Sequence, residues 1–175
     1  PSPVEEVIKS MTGNTHPMGV LSAALQALGG SFPHLSTNTR PADIDSFEEA
    51  ASLIVAAIPS IAAKTYRLSK GENTPEANNA FSYSENFLHM MFGNESAGSI
   101  DPAVSKALDL IFLLHADHEQ NCSTSTCRMI ASGGANAFAS LSGAVSALWG
   151  PLHGGANMAV IKMLNEIHSS GDDGS

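Results

Sequence analysis

Two polar segments concentrate the groups in this sequence that could do chemistry. The first is His115-Ala116-Asp117-His118-Glu119-Gln120-Asn121-Cys122-Ser123-Thr124-Ser125-Thr126. An apolar stretch ending at Leu113-Leu114 leads straight into it, and so many polar groups are costly to bury unless they are paired or hold a ligand. His115 and His118 stand at i and i+3, on one face of a helix. The plain structural alternative is a helix C-terminus decorated with histidines, which suit the negative end of its dipole. For a lone histidine that alternative is the better one; the density of polar residues here favours a ligand site. A metal pair with a neighbouring base is a third reading, in which His115 and His118 of a hydrolase would hold a divalent ion. The pair lacks the i, i+4 spacing of the zinc helix and no further cysteine or histidine set completes a tetrahedron, so no metal is expected.

The second segment is Leu148-Trp149-Gly150-Pro151-Leu152-His153-Gly154-Gly155-Ala156-Asn157. A helix of small residues ends at Gly150-Pro151, and another begins at Gly154 or Gly155. His153 therefore stands just before a helix N-terminus, whose positive end disfavours an imidazolium. A neutral ring there still donates a hydrogen bond to a carbonyl oxygen, so it polarises a substrate as an electrophile. The paired glycines would let a ligand approach the backbone. The alternative is a helix-helix turn with an incidental histidine.

The elements that must position these groups are all helical. No run of strict apolar-polar alternation is bounded by turn residues, and alanine, leucine and methionine dominate. Ser2-Pro3-Val4-Glu5 predicts a capped helix that stops near Gly13. A second begins at Asn14 or Thr15 and ends at Gly29-Gly30, with Val20, Ala24, Ala27 and Leu28 on one face. Ser31 to Ile44 is a loop. A long helix follows from Asp45 or Ser46 to Lys70, with Pro59 inside it as a kink or break. Further helices are expected at Asn79 to Phe92, with Phe87, Met90 and Met91 in the core, and from Asp101-Pro102 to about Asp117. The last three are Ser123 to Ile130, Ala137 to Trp149, and Gly154 to His168. Lys64, Arg67 and Lys70 share a helix face and could meet a phosphate, although a solvated face is the simpler reading. His16 marks a helix start and no more. Cys122 and Cys127 behave as small apolar residues.

Composition bounds the rest. The chain has 175 residues, 43% of them apolar and 14% charged. That supports a core, and the charge is below the usual ~25%, which suggests a surface covered by other protein. A net charge of -9 opposes nucleic-acid binding, which needs a basic stripe. The longest greasy stretch, Leu53 to Ala63, contains Pro59 and falls short of the ~20 residues that span a bilayer, so no membrane is expected. Two cysteines make no disulfide framework and suit a reducing, cytoplasmic compartment. A start at Pro1 and a linker-like Ser170 to Ser175 point to a piece of a longer protein.

Both long segments resemble the signatures of the bacterial-type citrate synthases. His16-Pro17-Met18, Ala62-Ala63-Lys64-x-Tyr66-Arg67 and Asn86-Phe87-Leu88-x-Met90 resemble the same family in the same order, and the likeness runs over essentially the whole chain. It implies an all-α fold, with residues 1–153 in the middle of the large helical domain and 154–175 at the start of a smaller one. It implies condensation of acetyl-CoA with oxaloacetate to citrate and CoA, with acetyl-CoA as a substrate and no cofactor. His153 matches the histidine that hydrogen-bonds the thioester carbonyl, and His118 the one that binds oxaloacetate. Asn121 and Ser123 match polar neighbours that orient the site, Asn121 as a substrate-binding residue beside His118 and Ser123 through His153. The family's aspartate base, third histidine and arginine clamps match nothing here and would lie C-terminal to Ser175, so the chain alone is expected to be inactive. Asp117, Glu119, Asp172 and Asp173 do not replace them. The family assembles as dimers or hexamers through large-domain helices. A 2-methylcitrate synthase, taking a propionyl thioester, is the near alternative, although Asp117, Gln120 and Trp149 look more like the citrate enzyme. A non-catalytic helical binding module is the distant one. It would point His118 and His153 into separate environments.

Overall fold

The computed structural model describes residues 2–36, 44–93, 100–116 and 119–171. They form eight helices: α1 (Pro3–Met11), α2 (Pro17–Ser31), α3 (Ile44–Ser69), α4 (Tyr83–Phe92), α5 (Pro102–His115), α6 (Cys122–Ser132), α7 (Ala137–Trp149) and α8 (Gly155–Ser169). No strand occurs among the described residues, and the fold is all-α as the sequence predicts.

Local chemistry explains most of the boundaries. Ser2 and Glu5 close a reciprocal capping box on α1. Ser82 and Glu85 close a second on α4. That box starts α4 at Tyr83 rather than Asn79, the expected start. The Asn86 side chain takes a hydrogen bond from the Asn78 amide at 2.8 Å and gives one to the Asn78 carbonyl at 2.9 Å, so it holds the loop before its own helix. Asp101 caps α5 through the Ala103 amide, with Pro102 at the first position.

Helix α3 runs through Pro59 as one element. Proline has no N–H, so the Val55 carbonyl loses its helical donor. The Tyr83 hydroxyl supplies a substitute at 3.0 Å. By length and hydropathy Ser46–Ser69 could cross a membrane, which corrects the shorter apolar run expected from sequence. In the fold it packs on α1, α2, α4 and α7 and buries Ala50, Ile54, Ile61 and Ala63.

The core has two adjoining clusters. Leu25, Leu28, Leu35, Ala50, Ile54 and Phe138 form one; Ile8, Val20, Ala24 and Ile61 form the other. Helix α2 contributes to both. Met90 is buried, while Phe87 and Met91 are only half-buried. Lys64 and Arg67 of the basic row are committed to the fold, while Lys70, just past α3, is exposed. Lys64 bonds Glu5 at 2.9 Å. Arg67 donates to the Asn73 and Gly93 carbonyls at 2.8 and 2.9 Å, and Lys70 lies over the Tyr66 ring. At the periphery, among the described residues, α5 packs only on α4, and α8 packs on none of the other helices.

Candidate active site

Residues 123 and 153 meet because of helix lengths. Helices α6 and α7 have 11 and 13 residues, about 17 and 20 Å at 1.5 Å per residue. A four-residue link joins them, and they pack side by side. The chain leaving α7 therefore returns to the first turn of α6. Gly143 makes the approach close: a Cβ there would run into the Ile130 side chain.

Helix α7 lies antiparallel on α2. At one end Phe138, 1% exposed, fills the space beside Gly29, where a Cβ would fall 2.8 Å from its ring. This packing, rather than helix termination, explains Gly29, and α2 continues past Gly29-Gly30 to Ser31. In the middle Ser22 and Ser142 exchange hydroxyl-to-carbonyl hydrogen bonds at 2.9 Å, and the Ser146 hydroxyl joins at 2.9 Å. At the far end the Trp149 ring stacks on the His16 ring, with centroids 5.2 Å apart and planes 15° apart.

The structure brings His153, Ser123 and Asn121 together. His153 Nε2 lies 3.3 Å from the Ser123 amide nitrogen and 3.0 Å from its Oγ. The amide can only donate, so Nε2 carries a lone pair and Nδ1 carries the proton of the neutral ring; this tautomer is assigned from hydrogen-bond geometry. The Ser123 hydroxyl lies within reach of both Nε2 and Asn121 Oδ1, the latter at 2.9 Å. Asn121 caps α6, its Oδ1 taking the Thr124 amide at 2.9 Å. That backbone donor fixes which way the Asn121 amide points. No hydrogen bond from Nδ1 to a described residue occurs, and the ring is half-buried.

His153 stands just before the N-terminus of α8, as expected, and its ring reaches a second helix terminus. The cap of α8 is Gly154 with no side-chain bond, and His153 Nε2 meets the first turn of α6. The two glycines also separate. A Cβ on Gly154 would run into the Leu148 carbonyl oxygen, so this residue is glycine for the chain's own folding, whereas Gly155 faces open space.

His118, with Asp117, lies outside the described residues. His115 is exposed and its Nδ1 lies 2.8 Å from the Ile111 carbonyl of its own helix. Glu119 has a φ of 61°, a left-handed conformation uncommon for a residue with a side chain. Among the described residues no three His, Cys, Asp or Glu side chains are grouped to hold a metal ion. Cys122 is exposed; Cys127 is half-buried, and burial pushes its thiol up. The His16–Trp149 stack was not legible in the sequence. Both residues stand in motif segments, but nothing in their spacing pairs them.

The sequence profile described as "Citrate synthase, C-terminal domain" matches residues 1–173. The chain belongs to the citrate synthase family. Its similarity to citrate synthase 1 of Mycobacterium tuberculosis is 47% identity over 161 residues, which cover 91% of this chain and 37% of that protein. The fold is similar to the crystal structure of citrate synthase from Pyrobaculum aerophilum, with a TM-score of 0.74 and 32% identity over 94% of this chain and 41% of that one. It is also similar to citrate synthase from Thermotoga maritima, with a TM-score of 0.73 and 29% identity over 95% of this chain and 40% of that one. This citrate synthase family chain thus spans well under half the length of these relatives.

Proposed function

We propose that these residues form the part of a citrate synthase that polarises the acyl thioester. The whole protein would condense acetyl-CoA with oxaloacetate and water to citrate and CoA. The observation that carries this reading is the His153 tautomer. With Nε2 held as an acceptor by Ser123, the Nδ1–H is the group left to offer. Proton removal from the acetyl methyl group moves negative charge onto the thioester oxygen, and a donor placed there beforehand stabilises the enol that forms. A neutral donor suits this step, since it keeps its proton while the charge develops.

His118 would take oxaloacetate. Asn121 and Ser123 would hold the His153 ring. The base that removes the methyl proton, the third histidine and the arginine clamps would lie in further sequence. Residues 154–175 would begin the smaller domain, a division supported by the lack of packing between α8 and the other helices. Exposed apolar residues on α5 such as Leu113 and Leu114 fit association into a dimer or hexamer, and the two free cysteines fit the cytoplasm.

The test is release of the CoA thiol in the full-length protein supplied with oxaloacetate and acetyl-CoA. His153→Ala should lower kcat by about 100-fold or more, the usual loss for one such donor, without moving the melting temperature. Unchanged turnover would sink the reading. The 175-residue chain alone should form no citrate; activity there that His153→Ala removes would refute the missing-base argument. Running propionyl-CoA beside acetyl-CoA distinguishes the 2-methylcitrate alternative.

A further inference from the structure

We propose that His16 is a positioning residue for His153, acting through Trp149; this rests on the role proposed for His153. The chain from Trp149 to Gly154 is a tight fold-back. Gly150 N–H bonds the Ala147 carbonyl at 3.1 Å, while the amides of His153 and Gly154 both bond the Gly150 carbonyl, at 3.0 and 2.8 Å. Gly154 lies against the Leu148 carbonyl so closely that no side chain fits. The segment therefore follows the last turn of α7 as a unit, and whatever orients that turn aims His153.

The Trp149 ring is what anchors that turn. It is 47% exposed, so burial alone does not hold it. One face lies on the His16 ring, and its edge passes beside Gly19, where a Cβ would stand 3.4 Å from the indole. His16 is itself fixed, because its Nδ1 accepts the Met18 amide at 3.2 Å as the cap of α2. The His153 ring is thus braced from two sides: directly by the first turn of α6, and through Trp149 by the first turn of α2. Removing the second brace lets the 150–154 turn swing while the Ser123 contact pulls alone.

His16 also caps α2, so the test must separate the stack from the cap. Asparagine is among the best capping residues but cannot replace the ring; phenylalanine replaces the ring but cannot cap. In the full-length protein, His16→Asn should keep the melting temperature yet lower kcat for citrate formation about tenfold, as a displaced donor does. KM for acetyl-CoA should change less than kcat. His16→Phe should melt lower and rescue kcat to within about twofold of wild type, a small change beside the losses that misplacement causes. Nitrogen-15 shifts of the His153 ring supply a readout independent of turnover. Wild type should show a lone pair on Nε2 and a proton on Nδ1, His16→Asn a mixed population, and His16→Phe the wild-type pattern. A wild-type shift pattern with unchanged kcat in His16→Asn would overturn the proposal. So would kcat falling in step with stability across both variants. If wild type forms no citrate, the function assigned to His153 fails, and the ring shifts alone decide whether His16 positions it.

Discussion

Asn121 serves two neighbours with one oxygen. Its Oδ1 takes the Thr124 amide, which caps α6, and lies 2.9 Å from the Ser123 hydroxyl that also reaches His153. The two roles separate by substitution. Asn121→Ala removes the cap and should cost about 1 kcal/mol of stability, read from a denaturant midpoint. Ser123→Ala leaves the cap and the amide donor in place, so the His153 tautomer survives and stability should hold. Only the hydroxyl contact goes, and one hydrogen bond of about 1 kcal/mol corresponds to roughly a fivefold fall in kcat. The effect must be smaller than that of His153→Ala; an equal loss would mean that the hydroxyl rather than the amide sets the ring. Sequence alone marked His153, Ser123 and Asn121 as candidates and placed His153 just before the N-terminus of α8, where it stands. The contact of its ring with the first turn of α6 came only from the resemblance, because α6 reaches the ring through the hairpin.

At the scale of elements, side chains from one helix repair or tether another. Pro59 frees the Val55 carbonyl inside α3, and Tyr83 of α4 donates to it; partial burial pushes that phenol up. Tyr83→Phe should cost about 1 kcal/mol. In a Pro59→Ala background the restored backbone N–H competes for the same carbonyl, so the cost should shrink, and a double-mutant cycle would read the coupling. Strict additivity would reject the repair. Glu5 tethers α1 to α3: its bond to Lys64, and then its bond to the Ser2 amide, hold its carboxyl below the ordinary glutamate range. A lowered folded-state pKa means stability present above the unfolded value, about 4.3, and lost as pH falls through the folded one. Glu5→Gln keeps the capping-box acceptor and loses the ion pair, so it should melt below wild type at neutral pH, and the gap should close as pH falls through the folded-state value. Helix existence was legible throughout, because caps and prolines are local signals. The Ser82–Glu85 box went unread because Asn79 offered an earlier start. Gly29 looked like a terminator because its actual reason, Phe138, is more than a hundred residues away. The Ser22–Ser142 exchange and the Trp149 stack are equally invisible to any local window.

At the scale of the whole molecule, order is distributed unevenly. Helices α2, α3 and α7 share the first apolar cluster, whereas α8 meets no other helix. Along α8, Val160, Met163, Leu164 and Ile167 are each 39% exposed or more, although their i, i+3, i+4, i+7 spacing is that of a buried helix face. A 15-residue helix in water is marginal on propensity alone, because nucleation is costly and packing normally supplies the stability. Burying four such side chains would contribute about 1.5–3 kcal/mol each, and among the described residues nothing supplies it. Backbone amide exchange should therefore split the isolated chain. Protected amides are expected in α2 and α7, where opening requires breaking the core, and fast exchange in α8, where opening breaks only the helix itself. In the full-length protein α8 should gain protection by orders of magnitude, because packing its apolar face would stabilise it. Equal protection of α8 and α7 in the isolated chain would contradict this account of where stability resides. It would also remove the packing argument for a domain boundary near Gly154.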